Sequence, residues 1–385
     1  MQLKDVATVK GGKRLPKSDT LVGVKTNHPY IRIRDMYQSY PLEINDKFEY
    51  ITEDTHQKIK QYIVEEGDVI IAVVGNTIGL VSLIGKSLNG ANLTENCDKI
   101  VNLHNYDNRF LYYFLKSQEG QDEIRKGIVG SSQPKLPIYN IERFEIPDIS
   151  IDIQMKIVEI IEGIDKKIKT NEEINKNLEQ QAQAIYQQMF IDNARSDSTE
   201  GTLSDIANIT MGQSPSGSSY NEDGNGTIFF QGRAEFGFRF PTVRLYTTEP
   251  KRMACANDTL MSVRAPVGDL NVAHTDCCIG RGLAAIHSKN NHQSFVLYTM
   301  FSLKKQLDVF NGEGTVFGSI NRNSLNEMPI LIPSSEKLDE FEALVAPMDA
   351  AIRNNYDEIC RLEQLRDSLL PQLMSGELDV SDIDL

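Results

Sequence analysis

Sliding this 385-residue chain on itself by 184 positions aligns Gly130–Phe190 with Gly314–Met374 without a gap. At that offset Leu136 meets Ile320, Ile141 meets Leu325, Phe144 meets Met328 and Ile157 meets Phe341. Ile161 then meets Val345, Asp165 meets Asp349, Ile168 meets Ile352, Asn171 meets Asn355 and Leu178 meets Leu362. The fronts of the halves match at a longer offset. Leu3-Lys4-Asp5-Val6-Ala7 echoes Leu203-Ser204-Asp205-Ile206-Ala207, Gly12 echoes Gly212, and the stretch Gly67–Val73 resembles Asn257–Val263. The offset shrinks from 200 through 190 to 184, so the first half is longer in its middle. A tandem duplication of this kind builds one scaffold twice, with shared ends and different surfaces.

Each half divides again. Its front is rich in Gly, Pro, aromatic and β-branched residues. There Val69–Val74, Leu80–Ile84, Lys99–Leu103 and Thr259–Val263 read as buried strands, and Asn108–Ser117 and Gln293–Leu307 as helices. Its back is a long helix whose apolar positions step by four and three. The first seam holds Ile157, Ile161, Ile164, Ile168, Leu178 and Ile185; the second holds Phe341, Val345, Met348, Ile352, Leu362 and Leu369. Such seams ask for a partner helix, and polar residues within them (Asn171, Asn175, Asn355) fix register.

The predicted architecture is therefore α+β: two α/β heads joined by two long antiparallel coiled-coil helices, with an internal pseudo-twofold repeat. The boundaries fall at 1–149 (first head), 150–195 (central helix), 196–333 (second head), 334–376 (C-terminal helix) and 377–385 (acidic tail). A helix of about 40 residues is roughly 60 Å long, so antiparallel pairing would set the heads at opposite ends of a rod.

Composition narrows the class. With 40% hydrophobic and 24% charged residues the chain is globular in type. It has no apolar run long enough to span a bilayer and no secretory leader at Met1-Gln2-Leu3-Lys4-Asp5. Five cysteines without a Cys-x-x-Cys spacing fit free thiols in the cytoplasm. The net charge of −14 collects in residues 151–200 and 334–385, leaving both heads near neutral and free to carry local basic faces.

Motifs for catalysis do not hold up. Asn27-His28-Pro29-Tyr30 only approaches an amino-methyltransferase loop, and no glycine-rich methyl-donor site precedes it. Gly79…Gly85-Lys86-Ser87 is misspaced for a phosphate loop, and the run Gly312–Gly318 reads as a turn at the head–helix junction. His274, Cys277 and Cys278 lack the spacing of a metal cage. What remains is a set of turn-borne cations and amides. In the first head these are Lys10, Lys13, Arg14, Lys17, Arg32, Arg34, Asn76 and Gln133. In the second they are Gln213, Ser214, Arg233, Arg239, Arg244, Arg264 and Arg281. Arg suits guanine edges, Gln and Asn suit adenine edges, and Lys suits phosphates, so recurrence of such sets in both heads points to double-stranded DNA.

Three stretches carry a resemblance. They are Leu369-Leu370-Pro371-Gln372-Leu373-Met374-Ser375-Gly376-Glu377-Leu378, Ser262-Val263-Arg264-Ala265-Pro266-Val267-Gly268-Asp269 followed by Ile279-Gly280-Arg281-Gly282, and the junction Gly130-Ser131-Ser132-Gln133-Pro134-Lys135-Leu136. Through them the chain resembles, over essentially its full length, the DNA-specificity (S) subunits of Type I restriction–modification systems. That resemblance implies two target-recognition domains reading the halves of a bipartite site, and helices that dock two DNA methyltransferase (modification) subunits. It implies no catalysis and no cofactor in this chain: S-adenosylmethionine, ATP and Mg2+ belong to the modification and restriction/translocase subunits. One departure is that the first head begins at once, at Leu3, without a preceding helical segment. Two other readings stay open here, a stand-alone DNA methyltransferase or endonuclease and a coiled-coil scaffold that does not bind DNA.

Overall fold

The computed structural model describes residues 1–37, 40–193, 198–312, 318–381 and 383. The chain divides into two compact units, Met1–Lys169 with Cys360–Leu385, and Thr170–Ile359. Both long helices are shared between units. The central helix, Ile151–Tyr186, belongs to the first unit through Lys169. The C-terminal helix, Ser335–Ser375, belongs to the second through Ile359.

In the first unit, strands β1 (Thr8–Gly11), β2 (Val69–Ala72), β3 (Val81–Leu83) and β4 (Cys97–Val101) form an antiparallel sheet in the order β1-β4-β2-β3. Strand β2 is apolar throughout because both of its faces are covered. Val69 and Ile71 pack against Phe110, Leu111 and Phe114 of the helix Asn108–Lys116, while Ile70 and Ala72 join a second cluster with Ile31 and Leu93. Strand β4 stops short of the predicted Leu103 because Asn102 turns into the left-handed region, φ 56°.

The second unit repeats this sheet. Strands β5 (Ala207–Met211), β6 (Thr259–Ser262), β7 (Leu270–Val272) and β8 (Leu283–Ser288) are antiparallel in the order β5-β8-β6-β7. The duplication extends to single hydrogen bonds. Leu3 N–H donates to the Phe144 carbonyl at 3.0 Å, and Leu203 N–H to that of Met328 at 2.9 Å. Leu136 N–H donates to Val73 at 2.9 Å, and Ile320 N–H to Val263 at 3.1 Å. These are the residues that the sequence offsets pair. The helix predicted over Gln293–Leu307 is broken instead at Leu303, into Gln293–Ser302 and Lys304–Leu307. Ser302 Oγ bonds back to the Thr299 carbonyl there at 2.7 Å.

Within each unit the long helices run antiparallel. In the second, Asn171 Nδ2 donates to Glu358 Oε2 at 2.8 Å, Asn175 Nδ2 donates to the Ile352 carbonyl at 3.4 Å, and Phe190 packs on Phe341. Rising numbers on one helix thus meet falling numbers on the other. Asn355 Nδ2 also donates to Asn175 Oδ1 at 2.8 Å, so the polar seam residues satisfy one another. In the first unit Arg366 Nη1 reaches Asp165 Oδ1 at 2.9 Å.

The seams are covered by more than a partner helix. Ile157 and Ile161 share a core with Leu3, Phe110 and Phe144, and Phe341 and Val345 share one with Leu203 and Phe295. Ile168 and Ile352 are buried, and Ile164, Leu178, Ile185, Met348, Leu362 and Leu369 are half-buried. The buried members of the seam, Ile157, Ile161, Ile168, Phe341, Val345 and Ile352, are thus covered within the chain. The large apolar side chains that the helices expose are Met155, Ile174, Leu344 and Leu365.

Candidate nucleic-acid interface

In each head two loops leave the same edge of the sheet. Strands β1 and β2 both end where β4 begins, Gly11 opposite Asp98 and Ala72 opposite Cys97. In the second head β5 and β6 end where β8 begins, Met211 opposite Ala284 and Ser262 opposite Leu283. The loop after β1 is pinned by Gly12 N–H to Cys97 O (3.0 Å) and Lys13 N–H to Leu93 O (2.8 Å). The loop after β5 is pinned by Gly212 N–H to Leu283 O and Gln213 N–H to Ile279 O, both 2.9 Å. Such close approach needs glycine, since a Cβ on Gly12 would lie 2.0 Å from the Thr94 carbonyl oxygen and one on Gly212 2.1 Å from that of Gly280.

This edge gathers many of the residues singled out from the sequence. In the first head Lys13, Arg14 and Lys17 are exposed on the loop after β1, and Lys13 Nζ sits 5.5 Å from the Tyr62 ring centre. Exposed Asn76 lies on the turn after β2, and exposed Gln133 on the junction that this turn contacts through Gly75 N–H to Pro134 O, 3.2 Å. In the second head Gln213 and Arg281 are exposed, and Arg281 N–H donates to Ser214 Oγ at 3.2 Å. Arg264 is exposed on the turn after β6 and bridges to Ser319 of the junction. Residues Glu313–Phe317 of the run Gly312–Gly318 lie outside the described residues, as do Asp382, Asp384 and Leu385 of the acidic tail.

Other candidates are engaged within the protein. Arg14 Nε donates to Glu95 Oε1 at 2.5 Å. Arg32 and Arg34 both reach Glu49, and Arg34 Nε lies 3.7 Å from Asp35, whose carboxyl is pushed up to about 6 by burial against the opposing pull of Arg34. Arg233 pairs with Asp269 at 2.8 Å, and Arg244 with Glu235 at 2.9 Å.

Arg239 is a correction. It is 4% exposed, with Nη2 3.0 Å from Glu179 and 3.2 Å from the Tyr298 hydroxyl, and Nη1 3.1 Å from Asp349. It ties the second head to both long helices and faces no solvent-borne ligand. This latch was missed in the sequence, although the alignment of Asp165 with Asp349 marks it. Tyr113 hydroxyl donates to Asp165 at 2.8 Å in the first head, as Tyr298 does to Asp349 at 3.0 Å in the second.

His274 pairs with Asp357 at 2.7 Å, and Cys277 and Cys278 are buried in a strand. Among the described residues no group of three His, Cys, Asp or Glu could hold a metal ion, and no helix is long and apolar enough to cross a membrane.

A sequence profile of the family described as "Type I restriction modification DNA specificity domain" matches residues 1–180 and again 195–353, one match per copy of the repeat. The chain belongs to the Type I restriction–modification DNA-specificity family. Its relatives extend along the whole length. A protein of Methanocaldococcus jannaschii assigned as the MjaX specificity subunit of a type I restriction enzyme is 28% identical, over 98% of this chain and 93% of that one. The MjaIX specificity subunit of the same organism is 22% identical over 99% and 94%. The crystal structure of a Type-I restriction-modification system S subunit from M. genitalium is 17% identical and superposes with a TM-score of 0.62, covering 99% of this chain and 96% of that one. That likeness speaks to the fold: a mixed α/β repeat with long helices is the specificity-subunit architecture.

Proposed function

We propose that this specificity-family chain directs a Type I restriction–modification complex to a bipartite DNA sequence, residues 1–149 reading one half-site and residues 196–333 the other. The observation that carries the reading is that two heads with the same four-stranded sheet present, at the same edge of it, loops with the same backbone pins and different side chains. Shared pins with exchanged side chains are what two readers of different sequences require. Lys13, Lys17, Asn76 and Gln133 supply phosphate and adenine-edge chemistry to the first head, and Gln213 and Ser214 do so in the second.

The chain itself performs no chemistry in this proposal. Methyl donor, ATP and Mg2+ are held by modification and restriction/translocase subunits, and the complex works in the cytoplasm. Two modification subunits dock on the long helices, at exposed faces bearing Met155, Ile174, Leu344 and Leu365.

The test is methyl transfer to duplex DNA by the purified chain, by its modification subunits, and by the two combined. Only the combination is expected to transfer methyl groups, at one split sequence. Transfer by the isolated chain would establish an enzyme and overturn the proposal.

A further inference from the structure

Arg264 and Arg281 lie just beyond the ends of two neighbouring strands. The register of β6 with β8 runs from Thr259 opposite Ile286 to Ser262 opposite Leu283, and Val263 N–H continues it with a 2.9 Å bond to the Gly282 carbonyl. Arg264 and Arg281 flank this bonded pair: Arg264 bridges to Ser319, and Arg281 stands in the turn closed by Leu283 N–H to the Gly280 carbonyl at 3.0 Å. Among the described residues neither guanidinium has an ion pair. Both are exposed, in contrast to Arg233 and Arg244, which carboxylates already neutralise.

The first head fills the same positions differently. Its register sets Ala72 opposite Cys97, and Val73 N–H bonds the Asn96 carbonyl at 2.9 Å, so Val74 and Glu95 hold the places of Arg264 and Arg281. Where Arg281 N–H touches Ser214 in the second head, Glu95 is held by Arg14 in the first. One head therefore has two unneutralised cations on its sheet edge, and the other has a valine and a closed ion pair on the same backbone.

We infer that Arg264 and Arg281 form a clamp for a DNA phosphodiester in the second head, and that the first head has no counterpart at these positions. This rests on the DNA reading above. A single phosphate offers acceptors to two guanidinium groups from opposite sides. One guanine edge, by contrast, accommodates one guanidinium through O6 and N7. The pair is thus assigned to the sequence-independent part of binding, although its residue type alone would fit base reading.

The experiment measures duplex binding by the full chain assembled with its modification subunits, from low to moderate salt, and maps methylated sites in cells. R264Q/R281Q should weaken binding to cognate and unrelated duplexes by the same factor. It should also make the slope of log K against log[salt] shallower by about one, since a single phosphate contact is lost. The methylated sequence should stay unchanged. R264K/R281K keeps both charges and should hold the slope within about half a unit of the parent, which separates charge loss from misfolding.

Loss of discrimination at one base pair in either variant would make the arginines base readers. An unchanged slope in the glutamine variant, or a lysine variant as shallow as the glutamine one, would also overturn the clamp. Failure of the DNA reading looks different, because the unmodified complex would then show no preferred duplex.

Discussion

Replacing Arg239 by Met isolates the role of the buried latch. Methionine keeps much of the packing volume, so the main loss is charge. Arg239 stands between Glu179 and Asp349, whose side chains retain 17% and 22% exposure. Breaking a buried pair by removing one partner costs about 3–5 kcal/mol, because it strands the remaining charge. Residual solvent access at both carboxylates places this site at the lower end, about 3 kcal/mol, a large share of the 5–15 kcal/mol typical of a folded protein.

The loss is pH-dependent. Burial already holds the Glu179 carboxyl above its ordinary range while Arg239 pulls it down. Without Arg239 it rises further, so the folded variant binds a proton more readily than the unfolded chain. The deficit is then smallest at acid pH and grows as pH rises through the folded value. Amide exchange across Gln293–Ser302, which carries Tyr298, reads this locally at pH 5 and pH 8. A loss below about 1 kcal/mol at pH 8, or a deficit larger at pH 5, would refute the reasoning. At a temperature where the variant stays folded, its complex should methylate the same sequence as the parent, since Arg239 faces no DNA.

Ile352 is 1% exposed in the core shared by the second head and both helices, so Ile352→Asp buries an unpaired carboxylate. Loss of at least about 3 kcal/mol in urea unfolding, together with loss of co-purifying modification subunits, is expected. Gly212→Ala drives a Cβ to 2.1 Å from a backbone oxygen and should cost about 1–3 kcal/mol by thermal unfolding, with DNA binding weakened. Asp98 is 6% exposed, and burial pushes its carboxyl up from 3.8 to about 7. A raised folded pKa lets the native state hold the proton longer, so stability present at acid pH falls between about pH 4 and 7. Asp98→Asn should remove that fall and raise the urea midpoint at pH 8.

Much of the fold was legible because duplication is a strong signal. Leu3 and Leu203, Phe144 and Met328, and Val73 and Val263 align in sequence and make equivalent hydrogen bonds. The heptad seams located both helices, since a stripe of Ile and Leu over ten turns has few other uses. That stripe could not reveal which surface covers it, and the heads cover much of it. Strand ends shifted where a single backbone angle decides, as at Asn102. The site was legible by residue type and not by partner. Arg14, Arg32, Arg34, Arg233, Arg239, Arg264 and Arg281 look alike in a sequence. Only tertiary neighbours, such as Glu95, Glu49 and Asp349, separate the neutralised from the free.

The most direct measurement exchanges residues 1–149 for the first head of a different specificity-family chain and maps methylated sites genome-wide in cells carrying the parent, the chimera or neither. The account predicts that methylation at a split sequence depends on the chain. In the chimera one half-site should be replaced, while the other half and the spacer persist. Methylation identical in all three strains, or an unsplit new sequence in the chimera, would contradict the claim that each copy of the repeat reads its own half-site.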